Sequence, residues 1–255
     1  MFTRGDEGGN HLGVVNDIVG LDPVDMQRIA ADLGFSETIF VDWQDLGVPS
    51  VRIFTPATEL PFAGHPLVGA AWTMLRLGAG GVTRLRCGIG EVAVGLDGDA
   101  AWIEIDVDPT TAHRADLDEV AERAEMPTPD GGHVVEMPND YLLVRYRDAA
   151  TVAGLAPDLA VLAEHFGTLA YARDGDRVRA RFFAPGAGVP EDPATGSAAV
   201  ALATALVSEG EAAGALTIDQ GAEMGHPSRI VLSWNAPVVR ISGTCVRDEA
   251  RLLDL

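Results

Sequence analysis

Three short segments carry residue types that can move a proton or hold an anion. Glu191-Asp192-Pro193-Ala194-Thr195-Gly196-Ser197 places two carboxylates and two hydroxyls directly before an apolar run, Ala198 to Val207. If that run is a helix, its first N–H groups are unpaired and its N-terminus is partly positive, which suits an anionic substrate group. Plain N-capping by Thr195 or Ser197 explains the same residues equally well. Gly64-His65-Pro66 is a second such mouth: Pro66 fits the first helical position and puts His65 at the N-cap. Histidine caps poorly, and beside a positive helix end it is expected to be neutral near pH 7, able to donate or accept one hydrogen bond. A histidine merely packed in a turn fits as well. In the third segment, Ser36-Glu37-Thr38, Glu37 stands between Phe35 and an apolar strand. A carboxylate withdrawn from water there would have a raised pKa, as a general acid/base requires. A glutamate facing water at a strand end is the commoner arrangement.

Other chemistries drop out. The chain has 255 residues, 38 acidic against 18 basic, for a formal charge of −20. Every basic residue is arginine, so neither a lysine Schiff base nor a P-loop lysine is available. The acidity disfavours nucleic acid, and no basic stretch would hold an anionic membrane. Gly88-Ile-Gly90-Glu-Val-Ala93 matches a relaxed dinucleotide pattern, but the alternation from Glu91 to Leu96 reads as a strand where that mechanism needs a helix. No HExxH, GxSxG or zinc-finger spacing occurs, and no metal site is expected of the six histidines. Cys87 and Cys245 have no ligand-like spacing and read as reduced core thiols of a cytoplasmic protein. Met1 to Asn10 lacks the apolar segment of a secretory signal, and the longest apolar run is too short to span a bilayer.

The elements that must position these residues come in two echoing sets. Arg52-Ile-Phe54-Thr-Pro56 recurs as Arg181-Phe-Phe183-Ala-Pro185, each followed by a short loop and a small-residue helix. The helices are Gly64 to Leu77, stopped by Gly78, and Thr195 to Glu209, stopped by Gly210. Ala198 to Val207 is apolar nearly all round, so it must be buried on every side, inside a curved sheet. Period-2 strands are expected at Thr38 to Trp43, Val51 to Thr55, Thr83 to Cys87, Glu91 to Leu96 and Ala101 to Val107. A second set is expected at Tyr141 to Arg145, Thr168 to Ala172, Val178 to Ala184, Ala215 to Gln220, Arg229 to Leu232 and Val238 to Thr244. Amphipathic helices are expected from Asp22-Pro23 to Gly34, over Arg114 to Glu125 and over Pro157 to Phe166, with loops at Pro109 to Ala115 and Pro127 to Gly132. The expected fold is α+β: two pseudo-symmetric halves, 1–110 and 111–255, each a strand-rich barrel or curved sheet around a buried helix, with the site in the cleft between.

Together the motifs resemble the PhzF-like family of phenazine biosynthesis, within the diaminopimelate-epimerase superfold. Ser36-Glu37-Thr38 resembles its SET motif, Pro61-Phe62-Ala63-Gly64-His65-Pro66 its PFAGHP, and Glu191 to Ala198 its EDPATGSA. Gln220-Gly221 with Met224 to Ser228 resembles QG…MGRPS, and Gly9 to Val15 resembles GNPLAVV. The resemblance implies a homodimeric isomerase without metal or organic cofactor, acting on a small anionic metabolite. It makes Glu37 the general acid/base, with His65, Asp192 and Ser197 assisting proton transfer or orienting the substrate. The backbone at Gly64, Thr195 and Gly196 would bind the substrate carboxylate. Epimerases of the superfold place a cysteine at each helix mouth; here His65 and Thr195–Ser197 stand there, which disfavours a two-thiol racemase. An epimerase or lyase of other chemistry, and a metabolite-binding relative without activity, are the alternatives. His11 in place of proline, Leu67 in place of a smaller residue and His226 in place of arginine depart from the family pattern and bear on substrate choice.

Overall fold

The computed structural model describes residues 1–45, 47–78, 80–248 and 250. The first half runs β1 (Leu12–Val15), α1 (Pro23–Leu33), β2 (Glu37–Asp42), β3 (Ser50–Phe54), β4 (Glu59–Leu60), α2 (Gly64–Arg76), β5 (Arg84–Cys87), β6 (Gly90–Asp97) and β7 (Ala100–Asp106). The second runs β8 (Ala112–Arg114), α3 (Asp118–Arg123), β9 (Gly131–Glu136), β10 (Asp140–Arg145), α4 (Ala149–Ala153), α5 (Leu159–Leu162), β11 (Gly167–Asp174), β12 (Arg177–Ala184), β13 (Val189–Asp192), α6 (Gly196–Ser208), β14 (Ala213–Gln220), β15 (Ser228–Asn235) and β16 (Val238–Thr244).

The duplication read from the motifs is a duplication of strand pairing. In the first half β1 and β2 are parallel, β2 and β3 antiparallel, β3 and β5 parallel, then β5–β6 and β6–β7 antiparallel. The second half repeats the series with β10–β11, β11–β12, β12–β14, β14–β15 and β15–β16. β4 hangs off β3 as β13 hangs off β12, and each leads into its buried helix, α2 or α6. The last strands of the two copies, β7 and β16, pair with each other, so one continuous sheet wraps both helices. Its interior forms one apolar cluster that takes in Leu67, Val68 and Met74 of α2 and Val200, Leu202 and Leu206 of α6. Smaller clusters lie under α1 and under α3–α5, on the opposite face.

α6 is buried at every residue from Gly196 to Leu206, as its all-round apolar sequence requires. α1 starts where expected: Asp22 accepts from Val24 N and Asp25 N, completing a capping box, and Gly34 closes the helix in the left-handed conformation. Several local expectations are corrected. The N-cap of α2 is Ala63, so His65 lies inside the first turn. Thr195 is the N-cap of α6 by position, but neither its hydroxyl nor that of Ser197 caps the helix. The helix expected over Arg114 to Glu125 shrinks to α3, because Arg114 pairs with His133 in the sheet and Asp116 Oδ1 accepts from Asp118 N. That over Pro157 to Phe166 shrinks to α5, where the Ala163 and His165 carbonyls lie where a Cβ on Gly186 would go. The loop expected over Pro109 to Ala115 contains β8, and Pro127 to Gly132 runs into β9.

Candidate active site

Each buried helix is delivered by the same device. In the first half Arg52 lies over the Phe54 ring and holds both oxygens of Glu59, at 2.7 and 2.6 Å. In the second, Arg181 lies over Phe183 and holds both oxygens of Glu191, at 2.8 Å each. Bidentate pairs of this kind fix direction as well as distance. They set the chain as it leaves β4 and β13 for the helices. The helix ends then meet: a Cβ added to Gly64 would lie 2.9 Å from the Gly196 carbonyl carbon, and one added to Gly196 would lie 3.1 Å from that of Gly64. Ile241 Cδ1 closes the remaining space, 2.8 Å from either position. Only glycine permits this approach, which brings two positive helix ends to one place.

The clamp also separates the two adjacent carboxylates. Glu191 is spent on Arg181, whereas Asp192 turns inward and is buried. Asp192 Oδ2 accepts from Thr195 Oγ1 at 2.6 Å, and its Oδ1 accepts from Asn10 Nδ2 at 2.8 Å. Gln220 Nε2 donates to the Asp192 carbonyl at 2.7 Å and to Thr195 Oγ1 at 3.1 Å. Asn10 Oδ1 accepts from Ser36 Oγ at 3.0 Å. A chain of hydrogen bonds therefore runs from the residue beside Glu37 in one half to the mouth of α6 in the other.

Glu37 begins β2 with its side chain 17% exposed, and its Oε2 lies 3.4 Å from His65 Nε2. Both atoms are buried and have no hydrogen-bond partner among the described residues. Burial, and then the negative charge of Asp192, raise the Glu37 pKa to about 8. Burial also raises that of Asp192, against the hydrogen bonds from Thr195 and Asn10. His65 is pushed down to about 3, chiefly by burial, so it is neutral. Neutrality was expected from the helix end, but burial is the larger cause. Ser197 is buried beside Tyr141, whose phenol burial holds protonated.

Glu37, His65, Gly64, Asp192, Thr195, Gly196 and Ser197 thus lie on the helix mouths or in direct contact with them. Asn10 and Gln220 stand inside the GNPLAVV-like and QG-type motifs without a residue type that signals chemistry, and Tyr141 has only the pattern of a strand residue. The copies differ where chemistry is concerned. Thr38 and Thr168 pair with Phe54 and Phe183, so the position equivalent to Glu37 is Gly167, where the Phe182 ring fills the space. The site has one such carboxylate, not a matched pair. His11 stacks on Phe35 at 5.8 Å and meets His226 edge-on at 5.6 Å, so two of the three family departures meet in one aromatic group, next to Ser36 and Asn10 in sequence. No cluster of three or more His, Cys, Asp or Glu able to hold a metal occurs among the described residues. No helix among them is long and apolar enough to cross a membrane.

Comparison with known proteins matches residues 1–250 to the family model described as phenazine biosynthesis-like protein, PhzC-PhzF. The chain is 35% identical to a trans-2,3-dihydro-3-hydroxyanthranilate isomerase of Pseudomonas chlororaphis, over 86% of this chain and 83% of that protein. It is 33% identical to an uncharacterized isomerase of Mesorhizobium japonicum, over 91% and 87%. Its fold matches the crystal structure of a PhzC/PhzF phenazine biosynthesis protein of Clostridium difficile with a TM-score of 0.79 at 21% identity, covering 97% of this chain and 94% of that one.

Proposed function

Because this chain belongs to the phenazine biosynthesis-like (PhzC-PhzF) family of isomerases, we propose that it isomerises a small carboxylate-bearing metabolite by moving one proton between carbons with Glu37. The observation that supports this most directly is the unpaired Glu37 Oε2 facing the unpaired His65 Nε2 at the two converging helix mouths. The N–H groups at Gly64, Gly196 and Ser197 hold the substrate carboxylate, in place of the lysine the protein lacks. Glu37 Oε2 takes a proton from an activated carbon. The C–H electron pair enters the adjacent π-system, the double bond shifts, and Glu37, its proton exchanged with solvent, protonates the far carbon. Bonds broken and formed balance, so the step uses neither redox change nor cofactor. His65 Nδ1 lies 3.4 Å from Asn10 Nδ2, and its Nε2 faces Glu37 at the reacting centre. Asp192 keeps the Glu37 proton affinity high and fixes Asn10 and Thr195.

Inversion at a single carbon needs a base on each face, and the epimerases of the resembled superfold supply it with a thiol at each helix mouth, where this chain has His65 and Ser197. That favours a proton moved along one face over epimerisation. The substrate printed in the name of the Pseudomonas relative is the first to assay, followed by other small unsaturated carboxylic acids. In D₂O, turnover should place solvent deuterium on a carbon other than the one deprotonated, and Glu37→Gln should abolish this. Exchange at a single stereocentre with inversion would favour the epimerase reading instead.

A further inference from the structure

A second polar cavity, of about 190 Å³, opens at the far end of α6. Its walls come from four adjacent strands: Arg114 of β8, His133 of β9, Arg145 of β10 and Tyr171 of β11. Register aligns them, since Arg114 pairs with His133, Arg145 with Gly131, and Tyr171 with Arg145. Glu209, the C-cap of α6, closes one side. The active-site mouth is at the other end of that 13-residue helix, about 20 Å away at 1.5 Å per residue.

Two observations mark the cavity as more than a surface dent. His133 is buried, and neither Nδ1 nor Nε2 has a hydrogen-bond partner among the described residues; its nearest charged neighbour is Glu209, whose Oε1 lies 3.5 Å from Nε2. Leaving such a buried ring without a hydrogen bond is costly, so an acceptor placed there is favoured. Arg145 has no carboxylate partner among the described residues; its Nη2 donates only to the Asp130 carbonyl at 3.2 Å. Glu209 does not neutralise it, because its Oε1 is held by Arg114 at 2.6 Å. At Gly131 a Cβ would stand 3.3 Å from Arg145 Nη2, so glycine keeps the space beside the guanidinium clear. The Asp130 and Glu209 carboxylates also line the cavity, but beside Arg145 the uncommitted groups are donors: its own guanidinium N–H, one ring N–H of His133 and the Tyr171 hydroxyl. A set of donors is complemented by an acceptor-only ligand.

We propose that this cavity binds a small oxyanion, a carboxylate or a phosphate, between Arg145 and His133, as a site separate from the Glu37 centre. The test uses sodium acetate and sodium phosphate as probes, with sodium chloride at matched ionic strength as reference. The readout is the ¹⁵N signal of the His133 ring in ¹⁵N-histidine-labelled protein. A saturable shift with acetate identifies a planar carboxylate as the ligand, and one with phosphate a tetrahedral anion. Arg145→Gln should weaken binding about tenfold, the loss of one charge-assisted hydrogen bond. His65→Gln at the active site should leave it unchanged. Should Arg145→Gln fail to fold, His133→Gln decides, with anion-dependent thermal stabilisation as the readout; that stabilisation should fall. His133 signals that move no more with acetate or phosphate than with chloride would overturn the proposal. So would binding that survives both substitutions.

Discussion

At the scale of residues, two adjacent acids show how position decides chemistry. Glu191 is neutralised by Arg181, while Asp192 faces inward and raises the pKa of Glu37. If Glu37 acts as base, kcat/KM rises as pH rises through its raised pKa and levels off above about 8. Asp192→Asn removes the neighbouring negative charge, lowers that pKa and moves the rising limb to lower pH. A pH–rate profile of the variant with the limb unmoved would mean that Asp192 does not act on Glu37. Stability carries the same signature with the opposite sense. The folded state binds the Glu37 proton more tightly than the unfolded chain does, so this contribution is complete below the ordinary value of 4.5 and is lost as pH climbs to about 8. Glu37→Gln, which mimics the protonated form, should therefore gain stability over the native protein as pH rises across that window in urea melts. Glu37, His65 and Asp192 were legible because their residue types and motif spacing are local. Asn10 was not, because its partner Asp192 lies 182 positions away and only the closed fold brings them together. Tyr141 carries no sequence signal at all; its strand position is apolar in pattern, and only its approach to Ser197 makes it part of the site.

At the scale of elements, the two buried helices were legible from their small, apolar composition, and the repeated Arg-x-Phe segments proved to be matching clamps. The short helices α3 and α5 were overextended because amphipathic charge patterns continue past the point where the sheet captures the chain, as it does at Arg114. The contact between helix ends could not be read, since Gly64 and Gly196 look like ordinary flexible residues. It makes a sharp prediction. Gly64→Ala should force the helix mouths apart and destabilise the protein by about 1–3 kcal/mol. Adding Ile241→Val removes the Cδ1 that a new Cβ would meet at 2.8 Å, but leaves the Gly196 backbone at 2.9 Å. The double variant should therefore recover only part of the loss in denaturant melts. Full recovery would place the clash on Ile241 alone.

At the scale of the whole molecule, the repeated motifs predict two halves, and one sheet runs through both. β7 and β16 are equivalent strands of the two copies and pair over seven residues, from Val238↔Asp106 to Thr244↔Ala100. Arg240 on β16 holds Glu104 on β7 at 2.6 Å and lies over Trp102. With both helices in one apolar cluster, the halves should unfold together. Calorimetry should give a single transition whose van't Hoff and calorimetric enthalpies agree; two resolved transitions would show halves that melt independently. The candidate site spans this joint, because its chain of hydrogen bonds, from Ser36 through Asn10 to Asp192, crosses from one half to the other.

The most direct test of the account is turnover in D₂O, with product analysed by NMR for the native protein and for Glu37→Gln. The account predicts one solvent deuterium at the newly protonated carbon of the native product. It also predicts a rate loss of about 10²–10⁴-fold in the variant, with the fold unchanged by circular dichroism. Normal turnover by Glu37→Gln, or a native product free of deuterium under conditions where the Glu37 proton exchanges with solvent, would contradict it.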